Sequence, residues 1–378
     1  MGMKFSNLNI SNNDINTINN ENCLYCSKPF TNKLWCKECI NSLEKLAENG
    51  NREAIFNLVT RYEGGNGTEK NLEKAFYWYK KAAENGDADA MNNLAVCYEY
   101  GEGIEKNLEK AFYWFQKAAE NGNTNAMNNL AGMYYNGEGT EKKLEKAFSW
   151  HERAAENGDE KAMLNLAICY ENGKGTEKNL EKAFFWYQKL AENGNTNAMN
   201  NLAGMYYNGE GIEKNLEIAF YWFQEAAENN YEEAMINLAI CYENGEGIEK
   251  NLEKAFHWFQ KAAESGIKEA MFDLAKYYEN GKGAEKDLKK AFYWFQKAAE
   301  NNHITAMNNL AMWYESGLET KENLEKAFYW YQKAAENGIK EAMSNLAMYY
   351  ENGKGTEKNL EKAFYWQQRA TGSNEKHN

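Results

Sequence analysis

Residues 87–122 read Asp87-Ala-Asp-Ala-Met-Asn-Asn-Leu-Ala-Val-Cys-Tyr-Glu-Tyr-Gly101-Glu-Gly-Ile-Glu-Lys-Asn107-Leu-Glu-Lys-Ala-Phe-Tyr-Trp114-Phe-Gln-Lys-Ala-Ala-Glu-Asn-Gly122. Met91, Leu94, Ala95 and Tyr98 fall at i, i+3, i+4 and i+7, one apolar stripe of an α-helix. Gly101 and Gly103 then break the pattern, supplying the positive-φ freedom of a tight turn. Asn107 stands where a side-chain oxygen caps the next helix, and Glu109 in its first turn complements the helix dipole. Leu108, Ala111, Phe112, Phe115, Ala118 and Ala119 form the apolar stripe of that second helix. Asn121-Gly122 ends it, with glycine in the left-handed region. The stretch predicts two antiparallel helices.

Nine copies of this unit follow one another. Trp78, Trp114, Trp150, Trp186, Trp222, Trp258, Trp294, Trp330 and Trp366 are spaced by a constant 36 residues. Self-similarity at such a period is the mark of a solenoid, whose function lies on an extended surface rather than in one pocket. The capping column holds Asn71, Asn107, Asn179, Asn215, Asn251, Asp287, Asn323 and Asn359, with Lys143 as the exception. Alanines such as Ala90, Ala111 and Ala118 recur where helices must approach closely. The tryptophans are expected to supply large buried area, so Trp222→Ala would cost about 3–5 kcal/mol if its indole is buried.

The run Ala-x-x-x-Leu-Ala-x-x-Tyr-x-x-Gly-x-Gly, then Lys-Ala-Phe-x-Trp-x-x-Lys-Ala-Ala-Glu-Asn-Gly, resembles the Sel-1-like repeat family, a relative of the tetratricopeptide repeats. The resemblance implies an all-α fold, a right-handed α/α superhelical solenoid of nine helical hairpins with the first helices on the concave side. It also implies a non-catalytic adaptor or scaffold that assembles protein complexes. In the eighth copy Gly317 is followed by Leu318 and Glu319, so the second turn glycine is missing and a different bend is expected there. Secreted members staple each hairpin with a cysteine pair, whereas each copy here has at most one cysteine. Cys97, Cys169 and Cys241 share a column with Met133 and Met205 and read as apolar fillers.

The expected order is a polar tail over 1–20, a four-cysteine element over 21–40 and a capping half-repeat helix over 41–50. Nine repeats over 51–370 and a polar tail over 371–378 follow. The only proline, Pro29, lies outside the repeats, which favours uninterrupted helices. Residues 1–40 carry a net +1 within a formal charge of −13, so the repeats carry about −14, which argues against nucleic acid as the main partner. No apolar run approaches the roughly 20 residues that span a bilayer, and the polar start has no signal-peptide core. The expected address is the cytoplasm or the nucleus, with no membrane anchor.

Opposite the apolar stripe of the first helices runs an asparagine column: Asn57, Asn93, Asn129, Asn165, Asn201, Asn237, Asn309 and Asn345, with Asp273 in the seventh copy. An amide both donates and accepts, so this ladder could pair with a bound peptide backbone. The alternative is that each amide bonds a neighbouring helix or turn and sets repeat geometry. Columns that differ between copies would choose the partner. One contains Phe56, Asn92, Asn128, Leu164, Asn200, Ile236, Phe272, Asn308 and Ser344; another contains Val96, Gly132, Ile168, Gly204, Ile240, Lys276, Met312 and Met348. Ile236, Ile240 and Phe272, then Met312 with Trp313, predict an apolar patch toward the C-terminal half.

Cys23-Leu-Tyr-Cys26 and Cys36-Lys-Glu-Cys39 form two C-x2-C pairs. Four thiolates on two tight turns close a tetrahedral site, so Cys23, Cys26, Cys36 and Cys39 are expected to hold a structural Zn2+ in a zinc-ribbon-like cap. Redox dithiols and disulfides are the alternatives. Such a cluster ahead of Sel-1-like repeats resembles fungal proteins in which similar repeats accompany kinase domains, although no kinase motif occurs here. That resemblance suggests a second role, a regulatory module binding kinase or ubiquitin-ligase components of a signalling or degradation complex. Catalysis finds little support. There are four histidines, and His151 and His257 fall in aromatic columns of the second helices. A hydrolase built on paired glutamates would need one pair to differ from its repeated copies.

Overall fold

The structure, a computed structural model, describes residues 37–65, 68–319 and 321–372. It contains nineteen α-helices and no strand among these residues, and it divides into two compact units after Asn179. The first unit holds α1 (Lys37–Glu48), α2 (Arg52–Gly64), α3 (Leu72–Glu84), α4 (Ala88–Tyr100), α5 (Leu108–Glu120), α6 (Thr124–Asn136), α7 (Leu144–Glu156) and α8 (Glu160–Asn172). The second opens with α9 (Leu180–Glu192), then α10 (Thr196–Asn208), α11 (Leu216–Glu228), α12 (Glu232–Asn244) and α13 (Leu252–Glu264). It continues with α14 (Lys268–Asn280), α15 (Leu288–Glu300), α16 (Ile304–Ser316), α17 (Leu324–Glu336), α18 (Lys340–Asn352) and α19 (Leu360–Thr371). Even-numbered helices are the first helices of each copy and odd-numbered ones the second. Within each unit every helix packs on its neighbours in the chain, which is a solenoid of helical hairpins.

Local chemistry starts most second helices as the sequence predicts. Asn107 Oδ1 accepts from the Lys110 N–H at 2.9 Å, and the same bond recurs at Asn71, Asn215, Asn251, Asp287, Asn323 and Asn359. Lys143 makes no such bond. The Asn107 N–H also donates to Tyr98 O at 2.8 Å, closing the turn between the two helices. Where the glycine that follows a second helix is replaced, Asn230 and Asn302 keep a φ of 63°. Asparagine is among the few side chains that tolerate this region.

The turn glycine at position 103 has a second task. With φ 72° it sits against the first residue of α3, in the preceding copy, and a Cβ there would overlap the Leu72 carbonyl. The turn of one copy therefore rests on the start of the previous second helix, so backbone touches backbone between repeats. In the eighth copy Glu319 takes this place and keeps the left-handed conformation at φ 56°. The missing glycine thus leaves a non-glycine residue in a strained region rather than a differently folded φ.

The core confirms the first-helix stripe, since Met91, Leu94, Ala95 and Tyr98 are all buried. In the second helix Ala111, Phe115, Ala118 and Ala119 are buried, while Leu108, Phe112 and Trp114 are only half-buried. The expectation that the tryptophans form the main buried column is corrected here. Trp78 and Trp366 are buried, but the seven between them are half-buried. The fully enclosed aromatic column is the next residue: Tyr79, Phe115, His151, Tyr187, Phe223, Phe259, Phe295 and Tyr331. A step of about 100° per residue moves the indole from the centre of the packed stripe to its edge.

Each Phe of the Phe112 column contributes to a junction instead. Phe76, Phe112, Phe148, Phe184, Phe220, Phe256, Phe292 and Phe328 each meet a tyrosine of the following first helix edge-on. The ring centroids are 5.2–5.4 Å apart. Such pairs add roughly 0.5–1.5 kcal/mol beyond their buried area, and here the contribution recurs at junction after junction.

Before the first hairpin, α1 occupies the place of a second helix. Its Leu43 and Ala47 are buried against α2, and Gly50 ends it at φ 81°. Cys39 lies on α1 in the column that Ala183 and its relatives fill, and it is buried.

Candidate protein-interaction faces

The asparagine column lies on the first helices, and part of it is spent between repeats. Asn129 Nδ2 donates to Asn92 Oδ1 at 3.3 Å, Asn165 to Asn128 at 3.3 Å and Asn237 to Asn200 at 2.9 Å. Each bond joins successive first helices, and each needs an asparagine 37 residues earlier. Asn93 Oδ1 accepts from Asn92 within its own helix, and Asn201 donates to Asn197. Asn309 is half-buried beside a copy that offers Phe272 in place of an amide, and Asn345 is half-buried as well. Asp273 takes the column's place in the seventh copy, where burial, with Glu243 adding to it, pushes the carboxyl up to about 6.

The variable columns flank this ladder. Met312 and Met348 are 44% and 50% exposed, and Phe56 is 46% exposed. Ile236, Ile240 and Phe272 are half-buried. Phe272 lies flat on the His303 imidazole at 4.5 Å between centroids, with the Lys276 ammonium 5.6 Å from the same ring. Trp313, expected in this patch, is buried instead and packs against Phe292 and Phe295. Asn308 is 3% exposed, and its amide donates to Glu341 Oε2 of the next copy at 3.2 Å. On this face apolar side chains stand beside polar groups, of which Asn308 is bonded to the next copy.

Cys97, Cys169 and Cys241 are buried, and burial pushes the thiols of Cys97 and Cys241 up to about 12. Such thiols are inert packing groups. His303 caps α16 by accepting from the Ala306 N–H on Nδ1 at 3.1 Å, and burial holds its imidazole below the usual range. Of the four predicted metal ligands only Cys39 falls among the described residues; Cys23, Cys26 and Cys36 lie outside them. Among the described residues no three His, Cys, Asp or Glu side chains gather as a metal site, and no helix is long and apolar enough to cross a membrane.

A second face escaped the reading of the sequence. In seven copies the residue before the tryptophan is a ring that points outward: Tyr77, Tyr113, Phe185, Tyr221, Tyr293, Tyr329 and Tyr365 are 49–56% exposed. Each meets its neighbouring indole edge-on, as in Tyr113–Trp114 at 5.3 Å and Tyr293–Trp294 at 5.2 Å. Basic side chains lie over these rings, as Lys81 does over Trp78 and Lys117 over Tyr113. The signal was present as an aromatic pair repeated at the full period, but it reads equally well as core.

The nine copies match the model described as the Sel1 repeat over residues 52–87, 88–123, 124–159, 160–195, 196–231, 232–267, 268–303, 304–339 and 340–371. No curated protein matches the chain. Among solved structures it is similar to c5321, described as a protective antigen present in uropathogenic Escherichia coli strains displaying an SLR fold. That likeness has 32% identity and a TM-score of 0.69, over 88% of this chain and 71% of that one. It is also similar to a Sel1 repeat protein from Oxalobacter formigenes, at 26% identity and a TM-score of 0.62 over 81% and 91% of the two chains. Nine consecutive matches, together with hairpins that interlock through the same glycine and the same aromatic pair, place this chain in the Sel1 repeat family.

Proposed function

We propose that this Sel1 repeat solenoid is a non-catalytic scaffold that grips a peptide or protein segment on the first helices of its second unit. The observation that carries this reading is the exposure of Met312 and Met348 at one position of successive first helices, beside Phe272 and in line with Ile240. About half of each methionine remains open to solvent, and methionine suits surfaces that mould to a partner. Asn309 and Asn345 offer donors and acceptors to the guest backbone, while Asn129, Asn165 and Asn237 are bonded to the preceding first helix and Asn93 and Asn201 are bonded within their own. Replacing Ile240 and Met312 together by glutamate should abolish affinity capture of the partner from the protein's own cells. The circular-dichroism melt should stay the same. An unchanged yield of captured partner would refute the location.

We further propose that Cys23, Cys26, Cys36 and Cys39 bind a structural zinc ion. Four thiolates in two close pairs suit a tetrahedral ion, and Cys39 on α1 would link that ion to the first hairpin. Metal analysis of the purified chain should find stoichiometric zinc, and Cys23→Ser should lose it. A chain that folds and melts identically without zinc would exclude this role.

A further inference from the structure

The outward ring of the second helices is absent from one copy. Where the other copies place Tyr, Phe or His before the tryptophan, the third has Ser149. The eight remaining tryptophans each meet that preceding ring edge-on at 5.0–5.6 Å, and Trp150 has none. Beside Ser149 and Trp150 is a cleft of about 240 Å³, lined also by Gln116, Tyr134, Lys146 and Arg153. For scale, an engineered cavity of roughly 150 Å³ accepts benzene.

Other copies also place a lysine over the first-helix tyrosine and a lysine over the indole, as Lys110 over Tyr98 and Lys81 over Trp78; what sets this copy apart is Ser149 together with an arginine at 153. The Arg153 guanidinium lies 4.4 Å from the centre of the Trp150 ring, and the Lys146 ammonium lies 5.3 Å from that of Tyr134. The lining side chains include two cations and no carboxylate, although the chain as a whole has a formal charge of −13. Gln116 is already held by Glu120 at 2.8 Å.

We propose that this cleft binds an aromatic side chain flanked by acidic residues on a partner protein. The guest ring takes the place that Tyr113 and its relatives fill from within, edge-on to Trp150. Its flanking carboxylates pair with Lys146 and Arg153. Stacking selects the ring and the two cations select its acidic neighbours. The site lies in the first unit, on α5 and α7 with Tyr134 of α6 at its edge, so it stands or falls apart from the face proposed above on the second unit.

The test is calorimetric titration of the full chain with the capped pentapeptide acetyl-Glu-Glu-Tyr-Glu-Glu-amide. The parent should bind it more weakly as salt rises. Ser149→Tyr, which copies the neighbouring repeats, should reduce the affinity by about tenfold or more while the thermal melt is retained. Arg153→Gln should reduce it without filling the cleft, and exchanging the peptide tyrosine for leucine should reduce it in the parent alone. No binding to the parent, or equal binding to parent and Ser149→Tyr, would overturn the proposal. Equal affinity for the tyrosine and leucine peptides would overturn the aromatic part of it.

Discussion

Phe223 is 4% exposed, while Trp222, one residue earlier, is only half-buried. Truncating an enclosed ring removes its transfer free energy and leaves a cavity, so Phe223→Ala should cost about 3–5 kcal/mol. Trp222→Ala should cost less, because solvent already reaches the indole and can follow it. Urea melts of the two variants decide the order, and a larger loss for Trp222→Ala would return the tryptophans to the centre of the core. His151 occupies the same enclosed column, 4% exposed, with its Nδ1 lacking a hydrogen-bond partner. Burial lowers its pKa from 6.5 to about 4. The unfolded chain therefore takes up the proton first, and stability falls as the pH drops from about 6.5 toward 4, by about 3 kcal/mol in total. His151→Phe should raise stability at neutral pH and remove that part of the acid sensitivity. Equal acid sensitivity in parent and variant, by urea melts at pH 7 and pH 4.5, would contradict this. Periodicity announces three aromatic residues in a row at Tyr113, Trp114 and Phe115. Which of them turns inward depends on how the helix is rotated against its neighbours, and that is set by contacts between copies.

The helices themselves were legible. Caps such as Asn107, the exception at Lys143 and the glycine stops all appear where the residue types require them, because these are interactions over three or four residues. What the sequence could not show is the second constraint on Gly103, since nothing nearby in the chain reveals that Leu72 of the previous copy lies against it. Gly103→Ala should destabilise by about 2–5 kcal/mol, combining an unfavourable φ with overlap against backbone that cannot move aside. Glu319→Gly should act in the opposite sense and stabilise by about 1 kcal/mol, because glycine adopts a φ of 56° without strain. Thermal melts of the two variants moving the same way would disprove this account of the turn.

Across the molecule, repetition makes the structure easy to read and the function hard to read. Packing residues recur in every copy, whereas a binding face shows itself only where copies differ. The asparagine column illustrates the difficulty: Asn129, Asn165 and Asn237 look identical to Asn309 in sequence, yet the first three are bonded to the preceding copy. The distinction lies 37 residues upstream, where Asn92, Asn128 and Asn200 give way to Phe272. Phe272 was legible as part of a patch because it stands in a column rich in asparagine, and Met312 because its column changes from copy to copy. Trp313 was misassigned to the same patch because adjacent helical residues face different ways. The central claim is that partners are held on the first helices. A photo-crosslinking residue placed at Met312 or at Tyr293 tests it at nearly matched exposure, 44% against 52%, on a first and a second helix of the same unit. Crosslinked partner from Met312 and none from Tyr293 is the expected result, and crosslinked partner from Tyr293 alone would contradict the account.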